Sequence, residues 1–315
     1  MTKKTYLAFI LMGLLLIMLF SGCSSGNDYP VITLNVPETP KEKKKDSLDN
    51  DKEPSLKIAL ASITSARESL YYYNDLLEYM EEETGMPVKI IQRKTYAEIN
   101  DLIKNRTVDL GFICTYSYVL GKDDFNMEII AAPVKNGKKE YHSYIIKHSS
   151  VEAETFLDLE GYSFAFTDPI SNSGRLFPLY LLYLEGETPD SFFDQYIYTY
   201  SHDNSIRAVA EGLVDAAAVD SLVYDHLYDR DPDYFKNIEI IQISQPFGVQ
   251  PVVVHPDLDP GFKSKLQNLL VTLHENPRGQ NILFNLGLDR FDYQDDAAYD
   301  GIREIAEVVG YATQN

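Results

Sequence analysis

Short apolar runs alternate with amphipathic segments through most of the chain. Residues 56–61 form a strand-like run, and a helical pattern follows at about 68–83. A second run at 88–91 precedes a helical pattern at about 96–105, and a third run closes the unit at 108–113. Strands that alternate with helices in this way predict an α/β fold built on parallel sheets.

The same order of elements returns 106 residues later in the chain. Residues 162–167 and 196–200 are again strand-like, residues 176–184 and 205–211 are again helical, and 214–219 closes the second unit. Few residues are identical between the units, so the architecture repeats rather than the sequence. Two α/β lobes are therefore predicted.

Two further strand-like runs, at 142–147 and 248–254, are predicted to carry the chain from the first lobe to the second and back. Lobe 1 then comprises residues 55–143 and 252–315, with the C-terminal tail packed on it. Lobe 2 comprises residues 144–251, including the hinge strands. Lobes joined in this way are expected to close on a ligand by hinge rotation.

The N-terminus is typical of an exported protein. Two lysines precede the apolar run 6–20, and small residues then lead to Cys23, which is the layout of a bacterial lipoprotein signal. Residues 1–22 are predicted to be a signal peptide, and lipid on Cys23 is expected to hold the protein on the extracytoplasmic face of the cell membrane. A plain cleaved signal with an incidental cysteine is the alternative. Residues 23–54 are polar and predict a flexible tether.

The composition excludes some classes of partner. A formal charge of −20 and the lack of a basic stripe argue against nucleic acid. With Cys23 lipidated, Cys114 is left alone, so no disulfide supports the fold. The sequence contains no cluster typical of a metal site, so neither a metal nor another cofactor is predicted. A monomer is expected.

The loop 167–174 is the most informative segment, because ligands of parallel sheets bind at the carboxyl ends of the strands. Ser171, Asn172 and Ser173 follow one another where a helix is predicted to begin. The first N–H groups of a helix lack internal partners and attract anions, and the serine hydroxyls can add hydrogen bonds. A small-anion site is therefore predicted, with simple helix capping as the alternative.

Other candidate ligand residues lie at the ends of neighbouring strands. His202 follows a strand of lobe 2 and can donate to an anion, with a charge expected to respond near neutral pH. Tyr96 occupies the matching position in lobe 1, and Thr115 follows a strand end, although either residue could serve packing or capping alone. Ser201 and Asp203 are assigned to capping.

These residues together resemble the phosphate/phosphite/phosphonate-binding proteins of ABC importers. The resemblance lies in the segments 164–169, 171–174, 201–203 and 212–215, and it extends from about residue 55 to about 311. It implies the type II periplasmic-binding-protein fold, in which two α/β lobes joined by two crossing strands enclose the ligand cleft. It also implies an extracytoplasmic solute-binding lipoprotein that passes a small phosphorus oxyanion to an ABC transporter permease.

The resemblance also implies residue roles. Ser171, Asn172 and Ser173 take the place of the family's phosphonate-binding segment, which commonly has Thr at the position of Asn172, and His202 matches a ligand histidine. Family members that bind aminoalkyl phosphonates hold the ammonium with acidic groups, whereas the corresponding positions here are Leu222 and Gln250.

Asp220 and Gln250 are therefore also candidate ligand residues. Asp220 could replace the missing acid, orient His202, or accept a proton from a partly protonated oxyanion. An uncompensated ammonium group would be poorly held at Leu222 and Gln250, so aminoalkyl ligands are disfavoured.

Two alternative functions use the same residues. A hydrolase would need an activated serine, but the sequence contains no G-x-S-x-G elbow, and a serine at a helix start is placed to donate rather than to attack. An enzyme is therefore not predicted. A binding protein that serves a sensor kinase instead of a permease would have the same cleft, and the sequence leaves that alternative open.

Overall fold

The computed structural model describes residues 54–310, which form two α/β lobes. The predicted signal peptide, Cys23 and nearly all of the predicted tether lie outside the described residues. No helix within residues 54–310 combines the length and the apolar character needed to span a bilayer.

The strands and helices follow the spacing expected from the sequence. In chain order the strands are β1 (Leu56–Leu60), β2 (Val88–Gln92), β3 (Leu110–Phe112), β4 (Glu128–Val134), β5 (Glu140–Tyr141), β6 (Ser143–His148), β7 (Ser163–Phe166), β8 (Gln195–Tyr198), β9 (Ala216–Asp220), β10 (Ile238–Ile243), β11 (Phe247–Gly248), β12 (Val252–Val254) and β13 (Arg290–Asp292). The helices are α1 (Ala66–Thr84), α2 (Tyr96–Lys104), α3 (Thr115–Phe125), α4 (Phe177–Leu184), α5 (Pro189–Phe192), α6 (His202–Ala210), α7 (Ser221–Arg230), α8 (Pro260–Val271), α9 (Pro277–Leu286) and α10 (Asp300–Val309). Short 3₁₀ turns lie at Phe156–Leu159, Pro232–Phe235, Leu273–Glu275 and Asp296–Tyr299, and a π turn lies at Asn172–Leu176.

The two main sheets share a five-stranded topology, to which lobe 1 adds β13, and this confirms the predicted repeat of architecture. Lobe 1 has the strand order β13-β4-β12-β3-β1-β2, and lobe 2 has the order β10-β6-β9-β7-β8. In lobe 1, β1 pairs in parallel with β2 and β3, and in lobe 2, β7 pairs in parallel with β8 and β9. Each parallel core is extended by an antiparallel strand, β12 beside β3 and β6 beside β9.

One hydrogen bond occurs at matching positions in the sheets of the two lobes. The backbone N–H of Lys57 donates to Asp109 Oδ2 at 2.8 Å in lobe 1, and that of Ser163 donates to Asp215 Oδ2 at 2.8 Å in lobe 2. The two donors and the two acceptors are each 106 residues apart. The aspartates therefore have the same structural role in each lobe, which is to satisfy an N–H at the start of a central strand.

The chain crosses between the lobes beside the small antiparallel pair of β5 and β11. The residues predicted to lie near the hinge, 144–146 and 249–251, fall within β6 and just after β11. Lobe 2 was predicted to begin at residue 144, and β6 begins one residue earlier, at Ser143. The tail was predicted to pack on lobe 1, whereas its last helix, α10, packs against α4 of lobe 2 as well as α3 of lobe 1.

One apolar core is continuous across the two lobes. It includes Ala59 and Tyr96 from lobe 1, Phe164 and Phe177 from lobe 2, and Ile302 from α10. Its strands have apolar residues on both faces, as expected in parallel sheets covered by helices. Because residues of both lobes belong to this one core, the lobes are in direct contact, and the arrangement is that of a closed cleft.

Candidate functional site

The predicted anion site lies where β7 gives way to a helix. Ser171 is the N-cap, and its Oγ accepts a hydrogen bond from the backbone N–H of Gly174 at 3.0 Å. A π turn at Asn172–Leu176 follows and continues directly into α4. A Cβ atom at position 174 would lie 2.3 Å from Thr167 Oγ1, so this close approach of the turn to the end of β7 requires glycine.

Four buried polar atoms in this region have no hydrogen-bond partner within the described residues. They are Asn172 Oδ1, Ser173 Oγ, Ser201 Oγ and Asp203 Oδ2. The backbone around them is firmly held, because Ser143 Oγ donates to the carbonyl oxygen of Ser173 at 2.7 Å. An unpartnered buried polar group costs free energy, so atoms of this kind on a rigid turn are well placed to bind a polar ligand.

His202 is the first residue of α6, and its ring orientation is fixed. Its Nδ1 accepts the backbone N–H of Asp220 at 3.0 Å and lies 3.2 Å from Thr167 Oγ1. With Nδ1 occupied as an acceptor, the proton of the neutral imidazole is on Nε2, which becomes a donor. Burial lowers the pKa of His202 to about 3, so the expectation that its charge responds near neutral pH is wrong for the protein without ligand.

A tyrosine in β5 connects the site across the lobes. Tyr141, in β5, lies with its hydroxyl 2.8 Å from Thr115 Oγ1 and accepts from Asn172 Nδ2 at 2.9 Å. Thr115 opens α3 of lobe 1, whereas Asn172 belongs to lobe 2. Tyr141 is one of 23 tyrosines, and nothing in its local pattern distinguished it; its position at the crossing became visible only once the sheets were paired.

Tyr96 approaches the site from lobe 1. It is fully buried, its N–H donates to Asp168 Oδ2 at 3.1 Å, and its hydroxyl donates to the carbonyl oxygen of Ser62 at 3.4 Å. Burial raises the pKa of both Tyr96 and Tyr141 well above the usual value, and nearby Cys114 and Asp220 raise the pKa further. Both phenols therefore stay protonated.

Asp220 ends β9 and caps α7. Its Oδ1 accepts the backbone N–H groups of Leu222 at 2.7 Å and Val223 at 3.3 Å, and its Oδ2 accepts from Gln250 Nε2. Burial raises the pKa of Asp220 to about 7, although the two backbone donors oppose that shift. The residue orients His202 through its main-chain N–H rather than through its carboxylate.

Comparison with known proteins places this arrangement in a family. The profile of the family described as "ABC transporter, phosphonate, periplasmic substrate-binding protein" matches residues 58–299. The chain belongs to this family. A phosphonates-binding periplasmic protein of Escherichia coli is 24% identical over 261 residues, which cover 81% of this chain and 77% of that protein. A phosphate-import protein of Mycolicibacterium smegmatis is 31% identical over 186 residues, covering 55% of this chain and 58% of the relative.

A solved structure supports the fold. PhnD1 of Prochlorococcus marinus, crystallised in complex with methylphosphonate, superposes with a TM-score of 0.74 at 22% sequence identity, covering 82% of this chain and 98% of that chain. The type II periplasmic-binding-protein fold predicted from the sequence is confirmed. Family membership also confirms that the protein is an extracytoplasmic solute-binding component of an ABC transporter and not an enzyme.

The structure brings the predicted site residues of this family member together, with different roles. Ser173 and Asn172 carry unpartnered atoms, whereas Ser171 Oγ already accepts a capping hydrogen bond and still has its O–H proton to donate. Ser201, assigned to capping from the sequence, makes no side-chain capping bond and has a buried, unpartnered Oγ. The signal available in the sequence was a hydroxyl at a strand end directly before the candidate ligand residue His202, but serine in that position is also typical of a helix cap.

Proposed function

We propose that this protein binds a small phosphorus oxyanion, a phosphonate, phosphite or phosphate, at the helix start 171–174 and delivers it to an ABC transporter permease. The buried, unpartnered Ser173 Oγ on a rigid helix start is the observation that carries the proposal. The names of the relatives point the same way, since one is a phosphonates-binding protein and another a phosphate-import protein.

Neutral donors would bind the anion. The hydroxyls of Ser171 and Ser173 and the Nε2–H of His202 supply hydrogen bonds, and the positive end of the helix dipole adds to the attraction. Because these groups are uncharged, the protein does not have to bury a cation when the site is without ligand, which would be costly.

Asn172 can adapt to the charge of the ligand. Its Nδ2 donates to the Tyr141 hydroxyl while its Oδ1 is unpartnered, an arrangement that suits a protonated oxygen on the ligand. Turning the amide by half a turn would let the Tyr141 hydroxyl donate to Oδ1 and free Nδ2 for an anionic oxygen. We infer that a fully ionised ligand selects the second arrangement.

The test is isothermal titration with phosphite, phosphate and methylphosphonate, with sulfate as a non-phosphorus oxyanion, on the native protein and on Ser173→Ala. The substitution should weaken binding roughly tenfold or more, because a hydrogen bond to a charged group contributes about 1.5–3 kcal/mol. The stability of the ligand-free protein should change little, since Ser173 Oγ has no protein partner to lose.

Ser264→Ala is the matched control, because it removes an exposed hydroxyl on α8, away from the cleft. It should leave the affinity as it is. Failure of every phosphorus oxyanion to bind the native protein would refute the proposal, as would equal binding by the native protein and Ser173→Ala.

We also propose that Cys23 carries lipid, that the protein acts as a monomer, and that it works on the outer face of the cell membrane. The motif around Cys23 supports the anchor. Labelled fatty acid should enter the native protein and not Cys23→Ser, and equal labelling of both would contradict the anchor.

A further inference from the structure

An apolar cavity of about 140 Å³ lies between the lobes beside the proposed anion site. Lobe 1 contributes Tyr72 and Phe112 to its wall, and lobe 2 contributes Leu222, Val223 and Leu227. An apolar cavity of about 150 Å³ in another protein admits benzene. The space is therefore large enough for a ring.

The cavity begins at residues that also hold the anion site in place. Asp220 and Gln250 both line it. The main-chain N–H of Asp220 orients His202, whereas its side chain contacts Gln250. A group attached to a phosphorus atom bound near His202 would therefore reach the cavity after passing these two side chains.

Several polar side chains on the cavity wall are hydrogen-bonded to one another. Thr64 Oγ1 and Ser69 Oγ lie 2.9 Å apart, and Ser69 Oγ also lies 3.1 Å from the carbonyl oxygen of Thr64. Both carboxylate oxygens of Asp220 accept hydrogen bonds, from the N–H groups that open α7 and from Gln250. An ammonium group entering the cavity would find most of these acceptor sites already occupied, whereas an apolar group needs none of them.

Contacts between the lobes narrow the exposed side of the cavity. Tyr72 of α1 and His226 of α7 are half-buried and meet edge to face with ring centroids 4.8 Å apart. The guanidinium of Arg230 lies 5.3 Å from the centroid of the Tyr72 ring. A group inside the cavity is therefore partly shielded from water when the lobes are together.

We propose that this cavity receives the substituent on phosphorus, and that the protein selects phosphonates with an apolar, ring-sized substituent over aminoalkyl phosphonates. The inference rests on the proposed phosphorus oxyanion site and adds the substrate class. The driving force is removal of apolar surface from water, worth roughly fourfold in affinity for each buried methylene.

The test is isothermal titration of the native protein with phenylphosphonate, methylphosphonate and 2-aminoethylphosphonate. We expect phenylphosphonate to bind at least about tenfold more tightly than methylphosphonate, and 2-aminoethylphosphonate to bind most weakly. Equal or tighter binding of methylphosphonate or 2-aminoethylphosphonate would overturn the inference and leave the oxyanion site standing. If none of the three bound, the proposed function itself would fail.

Two substitutions in the wall extend the test. Val223→Phe should fill the cavity and lower the preference for phenylphosphonate over methylphosphonate at least about tenfold. Leu222→Glu should lower that preference and improve binding of 2-aminoethylphosphonate. This second variant keeps the test valid if Val223→Phe does not fold. Val308→Phe, the same change at an exposed position of α10, is the control. A preference that both wall variants retain would contradict the inference.

Discussion

At the scale of single residues, the site combines two groups whose protonation is displaced in opposite senses by the same cause. Burial lowers the pKa of His202 to about 3 and raises that of Asp220 to about 7. In each case the charged form is penalised. The backbone hydrogen bond from Asp220 to His202 therefore joins two groups that are both held toward their neutral forms.

The two groups should affect the pH dependence of stability with opposite signs. An unfolded histidine titrates at about 6.5, so between about pH 3 and 6.5 the unfolded state binds the extra proton, and His202 adds stability as the pH rises. An unfolded aspartate titrates at about 3.9, so between about pH 4 and 7 the native state holds the extra proton. Asp220 therefore removes stability as the pH rises through that window.

His202→Gln and Asp220→Asn should separate these contributions. In the native protein, His202 should make the free energy of unfolding rise from pH 4.5 to pH 6.5, and this rise should be absent in His202→Gln. Asp220 should make the free energy of unfolding fall from pH 4.5 to pH 7, and this fall should be absent in Asp220→Asn. Urea unfolding of the ligand-free proteins at several pH values measures both. Differences from the native protein that do not depend on pH would contradict the assignment.

At the scale of elements, the sequence was most informative where one periodic pattern decides the structure. The 106-residue repeat predicted both parallel sheets, because buried strands and amphipathic helices leave a pattern in the residues themselves. The role of Tyr141 and the contacts of α10 could not be predicted in that way. They depend on which segments meet after the lobes pair, and such pairing leaves little trace in any single segment.

The turn after β7 is the element on which the site depends, and Gly174 is the position where it can be disturbed. A methyl group there would lie 2.3 Å from Thr167 Oγ1 and 2.5 Å from Thr167 Cβ. Thr167 cannot retreat easily, because it is fully buried and close to His202. Gly174→Ala should therefore cost about 1–3 kcal/mol of stability and weaken oxyanion binding by displacing Ser173.

Gly301→Ala is the matched control for this substitution. Gly301 lies in α10, and an added Cβ would meet no heavy atom within 4 Å. The stability of the Gly301→Ala variant should be equal to that of the native protein or slightly higher, since alanine favours a helix. Thermal unfolding and titration with methylphosphonate measure both effects. Equal behaviour of Gly174→Ala and Gly301→Ala would show that the turn does not require glycine.

At the scale of the whole molecule, equivalent helix starts hold the lobes together. The first N–H of α2, from Tyr96, donates to Asp168 Oδ2 at 3.1 Å, and the first N–H of α6, from His202, donates to the carbonyl oxygen of Ile63 at 2.9 Å. Tyr96 and His202 are 106 residues apart, so each lobe contributes the same position. A third bond runs from the N–H of Ser65 to Asp203 Oδ1 at 2.7 Å.

These bonds form only when the cleft is closed, so they should set the balance between open and closed forms. Asp203→Ala removes a charged acceptor from the N-terminus of α1 without touching the anion donors. The open population of the ligand-free protein should rise, by a factor of roughly ten or more if the bond contributes about 1.5–3 kcal/mol. The apparent ligand affinity should fall in proportion to the closed fraction.

Small-angle scattering with and without methylphosphonate measures this change. Without ligand, Asp203→Ala should have a larger radius of gyration than the native protein, and at saturating methylphosphonate its radius should return toward the native value. Asp215→Ala is the control, because that carboxylate accepts an N–H within lobe 2 alone. It should lower stability without changing the radius. If the two variants scattered alike, closure would not depend on the bond between Asp203 and Ser65, and the contacts around Tyr96 or the shared apolar core would have to hold the lobes together instead.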